Sequence, residues 1–578
     1  MIIAKHIDRF VIGVMMLALF FCLVLIIKPG RAEAQNAGAA ASEGAETSSE
    51  YEKLLFDPEK PMTVDLLIDA DQWKSMLENA SEEKWQSCDV IINGTRFYNV
   101  GIRPKGDSSL SSIAQAQNSN RYSFKLKFDK YTKGQKCWGL DKLCLNNNYG
   151  DMTNMKEALV YDMFRFLDAD APLYNYAKIT VNGEYWGVYL ALEAVDQAFL
   201  NRNYGSQKGA LYKPGSDKGQ EGEDQWLDAD PAEWTENGSV GENSSSVAAE
   251  TQYESGGEGG AELKYIDDRL ESYWGIWPCQ ITKTDDADHR RVVEALKKIG
   301  EKKDLETCMD IDNILRYMAV HNFSVNNDSL SGDGAHNYYL YESGGKLNLI
   351  PWDYNLCFGA YEMEEASGNS PDASEMINNP IDEPWPLTTF FDGLLQNEEY
   401  RSRYHSYYRQ LVDNYVLGGG FDLFYSRTRA QIDGLVKTDP NALSSYEAYD
   451  AAAKMLKQAV LLRGQSVKGQ IEGTIPSTRA GQKEHPELLI NADSVDLQMM
   501  GSDSIGEEPE GNEMPEETFS EEDWQKLLTE YLNRQIKEKQ RIRKTNSIRF
   551  GLSFVGIAAA AAAAASLRRR GRTAHKES

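Results

Sequence analysis

Three residues follow one another along the chain in an order that suits a hard divalent cation and a proton acceptor: Asp328, Asn337 and Asp353. Two carboxylates and an amide are oxygen donors of the kind that magnesium prefers to softer ligands. Phosphoryl transfer asks little more of a protein. It needs a cation on the phosphates, oxygen donors for the metal and one carboxylate to receive or orient the attacking hydroxyl. Each residue alone has a plainer reading, because Asp and Asn favour turns and helix caps anyway; it is the ordered set that points to chemistry.

The elements around these residues must place them. Residues 321–329 follow an amphipathic helix with Ile311, Leu315 and Met318 along one face and Asp312 positioned to cap it, so Asp328 is expected to emerge at a helix end. After a glycine-containing loop, residues 338–341 and 347–350 read as a strand pair turned by Gly344-Gly345, and the second strand delivers Pro351-Trp352-Asp353. Upstream, residues 121–128 alternate so that Lys125 and Lys127 share one face of a strand while Phe124, Leu126 and Phe128 share the other; either lysine could reach a phosphate. A helix is predicted over about 154–167, with Met155, Leu159, Val160, Met163, Phe164 and Leu167 on its apolar face. Glu157 on that helix is the candidate to pair with the lysine, against the plainer alternative of a solvated surface pair. Arg103, Lys105 and Gly106 with Ser108 and Ser109 offer a second phosphate-facing turn, although an ordinary hairpin connection fits the same residues.

The folded region changes character midway. Strand patches at 64–68, 89–92 and 177–181, the last two ending in Asn93-Gly94 and Asn182-Gly183, make residues 61–193 sheet-rich, whereas 388–473 show helical periodicity. Residues 32–50 form an Ala/Gly/Ser/Glu spacer, about 215–262 an acidic insertion within the fold, 481–520 an acidic stalk and 521–549 a polar helix. A net charge of -28 excludes phosphate-backbone binding as a main function, so nucleic acid is not an expected partner. The 7 cysteines contain no CxxC pair and suit buried small hydrophobes at least as well as disulfides.

Two segments bear on the membrane. Residues 10–27 are apolar and uncharged behind Lys5 and Arg9, which fits a signal peptide core or signal anchor. Residues 550–567 are alanine-rich and precede the basic tail 568–578, as at a stop-transfer end; an alanine-rich surface helix is the alternative. The expectation is a cell-membrane protein, attached through one or both segments, with its folded region extracytoplasmic.

Several runs in order closely resemble the CotH (spore coat protein H) kinase family. They are residues 100–109, Asn146-Asn147-Asn148 with Met155-Lys156-Glu157, residues 181–189, Asn327-Asp328-Ser329 and Ile350-Pro351-Trp352-Asp353. The resemblance covers about 54–473 outside the acidic insertion. It implies an α+β, divergent protein-kinase-like two-lobed fold over 51–480, with a sheet-rich N-terminal lobe (about 51–193) and a mainly helical C-terminal lobe (about 194–480). It also implies ATP and Mg2+ as cofactors and a surface or coat protein as acceptor. By position in the family's motifs, Asp328 resembles the catalytic aspartate, and Asn337 and Asp353 the metal ligands. Arg103, Lys105, Lys125, Lys127, Glu157, Glu193 and Trp352 are the residues expected around the nucleotide, Glu193 by its place at the end of a strand that would run beside the base. Trp352-Asp353-Tyr354 is not Asp-Phe-Gly, and Asp328 lacks a preceding His-Arg, so ordinary activation-loop control is not implied. A non-catalytic surface adhesion or envelope scaffold protein, and a transferase for a non-protein acceptor, are the competing functions.

Overall fold

The computed structural model describes residues 50–106, 108–116, 119–205, 209–215, 259–332, 334–361, 372–383 and 388–502. The spacer before Glu50, the segments 10–27 and 550–567, the 521–549 helix, the basic tail and most of the acidic insertion lie outside these residues.

Seven strands, β1 (Met62–Leu67), β2 (Gln86–Ile92), β3 (Thr95–Lys105), β4 (Ser123–Lys127), β5 (Lys142–Asn146), β6 (Tyr174–Val181) and β7 (Glu184–Glu193), close into a barrel in the order β1-β2-β3-β4-β5-β7-β6. Asn93-Gly94 and Asn182-Gly183 all take positive φ, the twist that two-residue hairpin turns require. Closure comes from a parallel pairing of β1 with β6, from Met62 opposite Ala177 to Leu66 opposite Val181. Alternation then sorts each strand: Val64, Leu66, Ile102, Phe124, Leu126, Leu143, Leu145 and Ala191 form one buried cluster. On the opposite face of the sheet, Lys125 stands level with Arg103 on β3 and Cys144 on β5.

The chain is α+β, but the expected two-lobed kinase-like architecture is corrected. Its N-terminal sheet is a closed seven-stranded barrel, because the non-local β1–β6 pairing removes the open edge that a simple sheet lobe would keep. The following region is not purely helical either: β8 (Ala210–Tyr212), β9 (Tyr338–Ser343) and β10 (Lys346–Pro351) form a separate sheet in the order β10-β9-β8.

The helices used below are α1 (Lys156–Phe166), α2 (Gln197–Tyr204), α3 (Asp286–Glu301), α4 (Ile311–Ser324), α5 (Glu398–Gln410), α6 (Gly420–Lys437) and α7 (Tyr446–Glu472). The cap of α4 is Asp310, whose side chain accepts from the Asn313 amide, rather than Asp312, which instead pairs with Arg403 of α5. Arg463 of α7 is fully buried and donates to the carbonyls of Asn322 and Phe323 at the C-terminal end of α4 and to those of Ile377 and Asn379, tying the two segments together. Residues expected to open the stalk belong to the folded body as far as Ser502: Val495, Leu497 and Met500 are buried in the main core. The six described cysteines are free and buried.

Among the described residues, no helix is long and apolar enough to cross a membrane. This removes structural support from the expected membrane partner, since the two apolar segments that carried it lie outside the described residues.

Candidate active site

Asp328 leaves α4 through Val325, which ends the helix with a φ of 46°, a left-handed value that a β-branched residue adopts at a cost. Ala335, Asn337 and Asp353 also have positive φ, at 44°, 57° and 60°. Four such residues gathered around one hairpin amount to strain of about 1–3 kcal/mol each, held in place by the surrounding packing. Beneath them, the buried His321 ring bonds Tyr354 Oη on one nitrogen and Ser331 Oγ on the other, at 2.9 and 2.6 Å, and so ties α4 to the loop and to β10's exit.

The three ordered residues are brought together. Asn337 Nδ2 donates to both the side-chain Oδ2 and the main-chain oxygen of Asp328 at 3.0 Å, and His336 Nε2 lies 2.7 Å from Asp328 Oδ1. Asp353, partly exposed, is held at its main-chain oxygen by Asn326 Nδ2 at 3.4 Å. Desolvation raises the Asp353 carboxyl and the nearby Asp328 charge adds to that rise, while Lys105, Lys213 and His336 oppose it. The charge of Asp328 thus reaches the Asp353 carboxyl, a repulsion that a bound cation would relieve.

Of the sequence-selected cations, Lys105 at the end of β3 is the one whose charge reaches these acids. Its charge acts on both Asp353 and Glu157, and its Nζ stands 5.8 Å from the Trp352 ring centre. Glu157, on the first turn of α1, accepts from Asn146 Nδ2 at 3.0 Å. Burial, then the charge of Asp353, pushes the Glu157 carboxyl well above the ordinary range. Lys125 lines a cleft with Lys142, Asp196, Tyr339 and Trp352. Lys127 lies farther along β4, with its Nζ 3.8 Å from Asp129.

Two nucleotide-binding expectations lead elsewhere. Arg103 is buried against the ring of Trp85, 5.2 Å away, and paired with Glu83. Glu193 faces the other way on β7: its carboxylate accepts from Tyr51 Oη at 2.6 Å, from Arg202 Nη2 at 2.6 Å and from the Leu173 amide at 3.1 Å, which closes a structural network.

Sequence reasoning missed His336 and Lys213. His336 was visible only as the neighbour of Asn337, and Lys213 lies beyond any motif, at the end of β8, where its Nζ is 5.9 Å from the Trp352 ring centre. Among the described residues no group of three or more His, Cys, Asp or Glu could hold a metal. Asp328, Asp353 and Asn337 are instead a partial oxygen set, of the kind that magnesium completes with phosphate oxygens and water. The fit extends to the surroundings, where Asn146 Oδ1 and Asn326 Oδ1 are buried acceptors without a hydrogen-bond partner.

The family model described as CotH kinase protein matches residues 102–467. Inner spore coat protein H of Bacillus subtilis (strain 168) is 26% identical over 223 residues, which is 38% of this chain and 51% of that protein. The chain therefore spans about half the length of this curated relative. That relative is named for the spore coat and the described residues contain no membrane-spanning helix, so the expected cell-membrane location is corrected and not carried forward.

Proposed function

The chain belongs to the CotH kinase protein family, and from that premise we propose that it is a phosphotransferase, moving the terminal phosphate of ATP onto a Ser or Thr hydroxyl of a coat or surface protein. The observation that carries this reading is the convergence of Asp328, Asn337 and Asp353 with Lys105 and Glu157. When bound, Mg-ATP supplies the transferable phosphoryl group and the metal's positive charge.

The chain's own residues then have separable tasks. Asp353 and Asn337 would hold the cation, and Lys105 would place positive charge on the phosphates, oriented by Glu157. Asp328 would accept the proton of the attacking hydroxyl. Both its oxygens already accept one bond each, but a carboxylate oxygen has a second lone pair for the acceptor. His336 and Asn337 thereby fix the carboxylate's direction while leaving it competent as a base.

The test is transfer of labelled terminal phosphate from Mg-ATP by the full chain, to itself and to a generic protein acceptor, alongside Asp328→Ala and Asp353→Ala. Transfer abolished by both substitutions supports the enzyme. Folded wild-type protein that neither transfers phosphate nor binds ATP in a magnesium-dependent way would point to the adhesion or scaffold function.

A further inference from the structure

After α7 the folded chain runs on to Ser502, outside the residues 102–467 that the family model covers. It is anchored twice on the way. Asn378 bonds both main-chain groups of Ile490, its Oδ1 accepting from the amide and its Nδ2 donating to the carbonyl, each at 3.0 Å. Gln458 Nε2 of α7 then donates to Ser494 Oγ at 2.6 Å. Beyond these anchors Leu497 and Met500 are buried, and the apolar surface they remove from water holds the segment down.

This strap ends on the two stretches of chain that carry Glu157 and Asp353. The Met152 amide donates to the Met500 carbonyl at 3.2 Å. Gly501 lies against Gly150: a methyl group on Gly501 would strike the Gly150 carbonyl oxygen, and one on Gly150 would stand 2.9 Å from the Ser502 carbonyl oxygen. Gly150 and Gly501 have φ of 70° and 99°, so backbone conformation as well as space excludes a side chain at either. The loop they clamp starts α1. Asp151 accepts from the Thr153 amide at 2.8 Å and from the Lys156 amide at 2.9 Å, and Glu157 is the next residue. The second stretch follows Asp353. Asn355 Nδ2 donates to the Tyr149 carbonyl at 2.8 Å, and Leu497 packs on Gly359, where a methyl group would stand 2.9 Å from Leu497 Cδ1.

We propose that residues 495–502 are a positioning strap for the phosphotransfer site: by clamping the 149–152 loop and the 355–359 segment together, they fix the spacing between Glu157 and Asp353. The strap acts through these two carboxylates rather than on the nucleotide. Its consequence for nucleotide rests on the function proposed above; its docking does not. Two buried apolar side chains and one main-chain hydrogen bond make a contact that local opening can break without unfolding the barrel.

The experiment compares the full wild-type chain with Gly501→Ala by hydrogen exchange, read by mass spectrometry, and by equilibrium binding of Mg-ATP. The added methyl group strikes the Gly150 carbonyl. Exchange should therefore quicken by about tenfold or more in peptides covering 495–502 and also in those covering 147–157 and 353–359, with α3 unchanged. Affinity for Mg-ATP should fall by about tenfold or more, because groups displaced by about an ångström lose their common geometry. Should Gly501→Ala fail to fold, Leu497→Ala, which empties the contact on Gly359 and adds no clash, takes its place in the same comparison. Faster exchange confined to 495–502, or unchanged Mg-ATP affinity with all three regions opened, overturns the positioning role and leaves the phosphotransferase standing. If the wild type does not bind Mg-ATP, the phosphotransferase falls and the positioning role falls with it, while exchange still reports whether the strap clamps the two segments.

Discussion

Asp328 Oδ1 and His336 Nε2 lie 2.7 Å apart, so the carboxylate assigned to the acceptor proton is itself steered by an imidazole. Burial alone would lower the His336 pKa, but the hydrogen bond and charge of Asp328, with help from the Gly334 backbone and Asp353, carry it above the usual range. The imidazole adjacent to the base is therefore biased toward its charged form, which orients Asp328 without competing for its proton.

Replacing the base separates chemistry from binding. Asp328→Asn should lower the rate of phosphate transfer by roughly 10²–10⁴-fold, the usual worth of a positioned general base. Affinity for Mg-ATP should change far less. Single-turnover transfer and equilibrium binding, measured on the same preparation, check both halves, and an equal loss in each would deny Asp328 this role.

His336 should act through Asp328 rather than on substrate. His336→Ala is expected to reduce kcat with little change in KM for ATP, whereas His336→Gln, which retains a donor, should recover part of the loss. No difference between the two variants would mean that the 2.7 Å contact is only packing.

The lysines can be ranked. Lys105→Met should weaken Mg-ATP binding by about tenfold or more, because Lys105 is the lysine whose charge reaches both Glu157 and Asp353. Lys127→Met should leave binding nearly unchanged, since that side chain lies beside Asp129. The opposite ranking would move the phosphate grip along β4.

Stability should fall with acid through His321. Full burial depresses its pKa to about 3, against an ordinary value of 6.5. The unfolded chain then takes up a proton that the native state refuses. The contribution is intact above about pH 6.5 and is lost progressively as pH falls through 3, by roughly 5 kcal/mol in total. Denaturant titrations across this window should show a shallower pH slope for His321→Gln than for the wild type; parallel slopes would show that His321 is not the linked group.

The buried pair of Arg121 and Asp439, 2.7 Å apart with side chains 3% and 1% exposed, fastens the loop after α6 to the barrel. Asp439 also accepts from the Val188 amide of β7 at 3.0 Å. Asp439→Ala should destabilise by about 3–5 kcal/mol because it strands a buried guanidinium, and Arg121→Met with Asp439→Leu together should cost less than the two changes summed. A double-mutant cycle from chemical denaturation gives the coupling directly, and additive losses would show the pair to be independent.

Much of the site could be read along the chain because it is local. Asp328, Asn337 and Asp353 lie within one helix-loop-hairpin stretch, and the alternation of Lys125 with Phe124 and Leu126 identified the two faces of β4 before any neighbour was known. The cap of α4 lies two residues before the Asp312 that the sequence offers, at Asp310, because both are acids at a helix start and only the hydrogen bond to the Asn313 amide tells them apart. The position of Glu193 at the end of a strand places it near the nucleotide, but side-chain direction on β7 turns it toward Tyr51 and Arg202 instead.

The sequence by itself determined the chemistry on offer: which oxygen donors, in what order, on which short elements, with lysines on alternating strand faces nearby. Those are properties of periodicity and turn preference, which act over a few residues. Only the tertiary structure decided that β1 pairs with β6 to close a barrel, and that it is the charge of Lys105 that reaches both Glu157 and Asp353. Each depends on contacts between residues far apart in the chain, whose pairing is set by the total burial and hydrogen bonding of the whole fold and leaves no trace in local spacing.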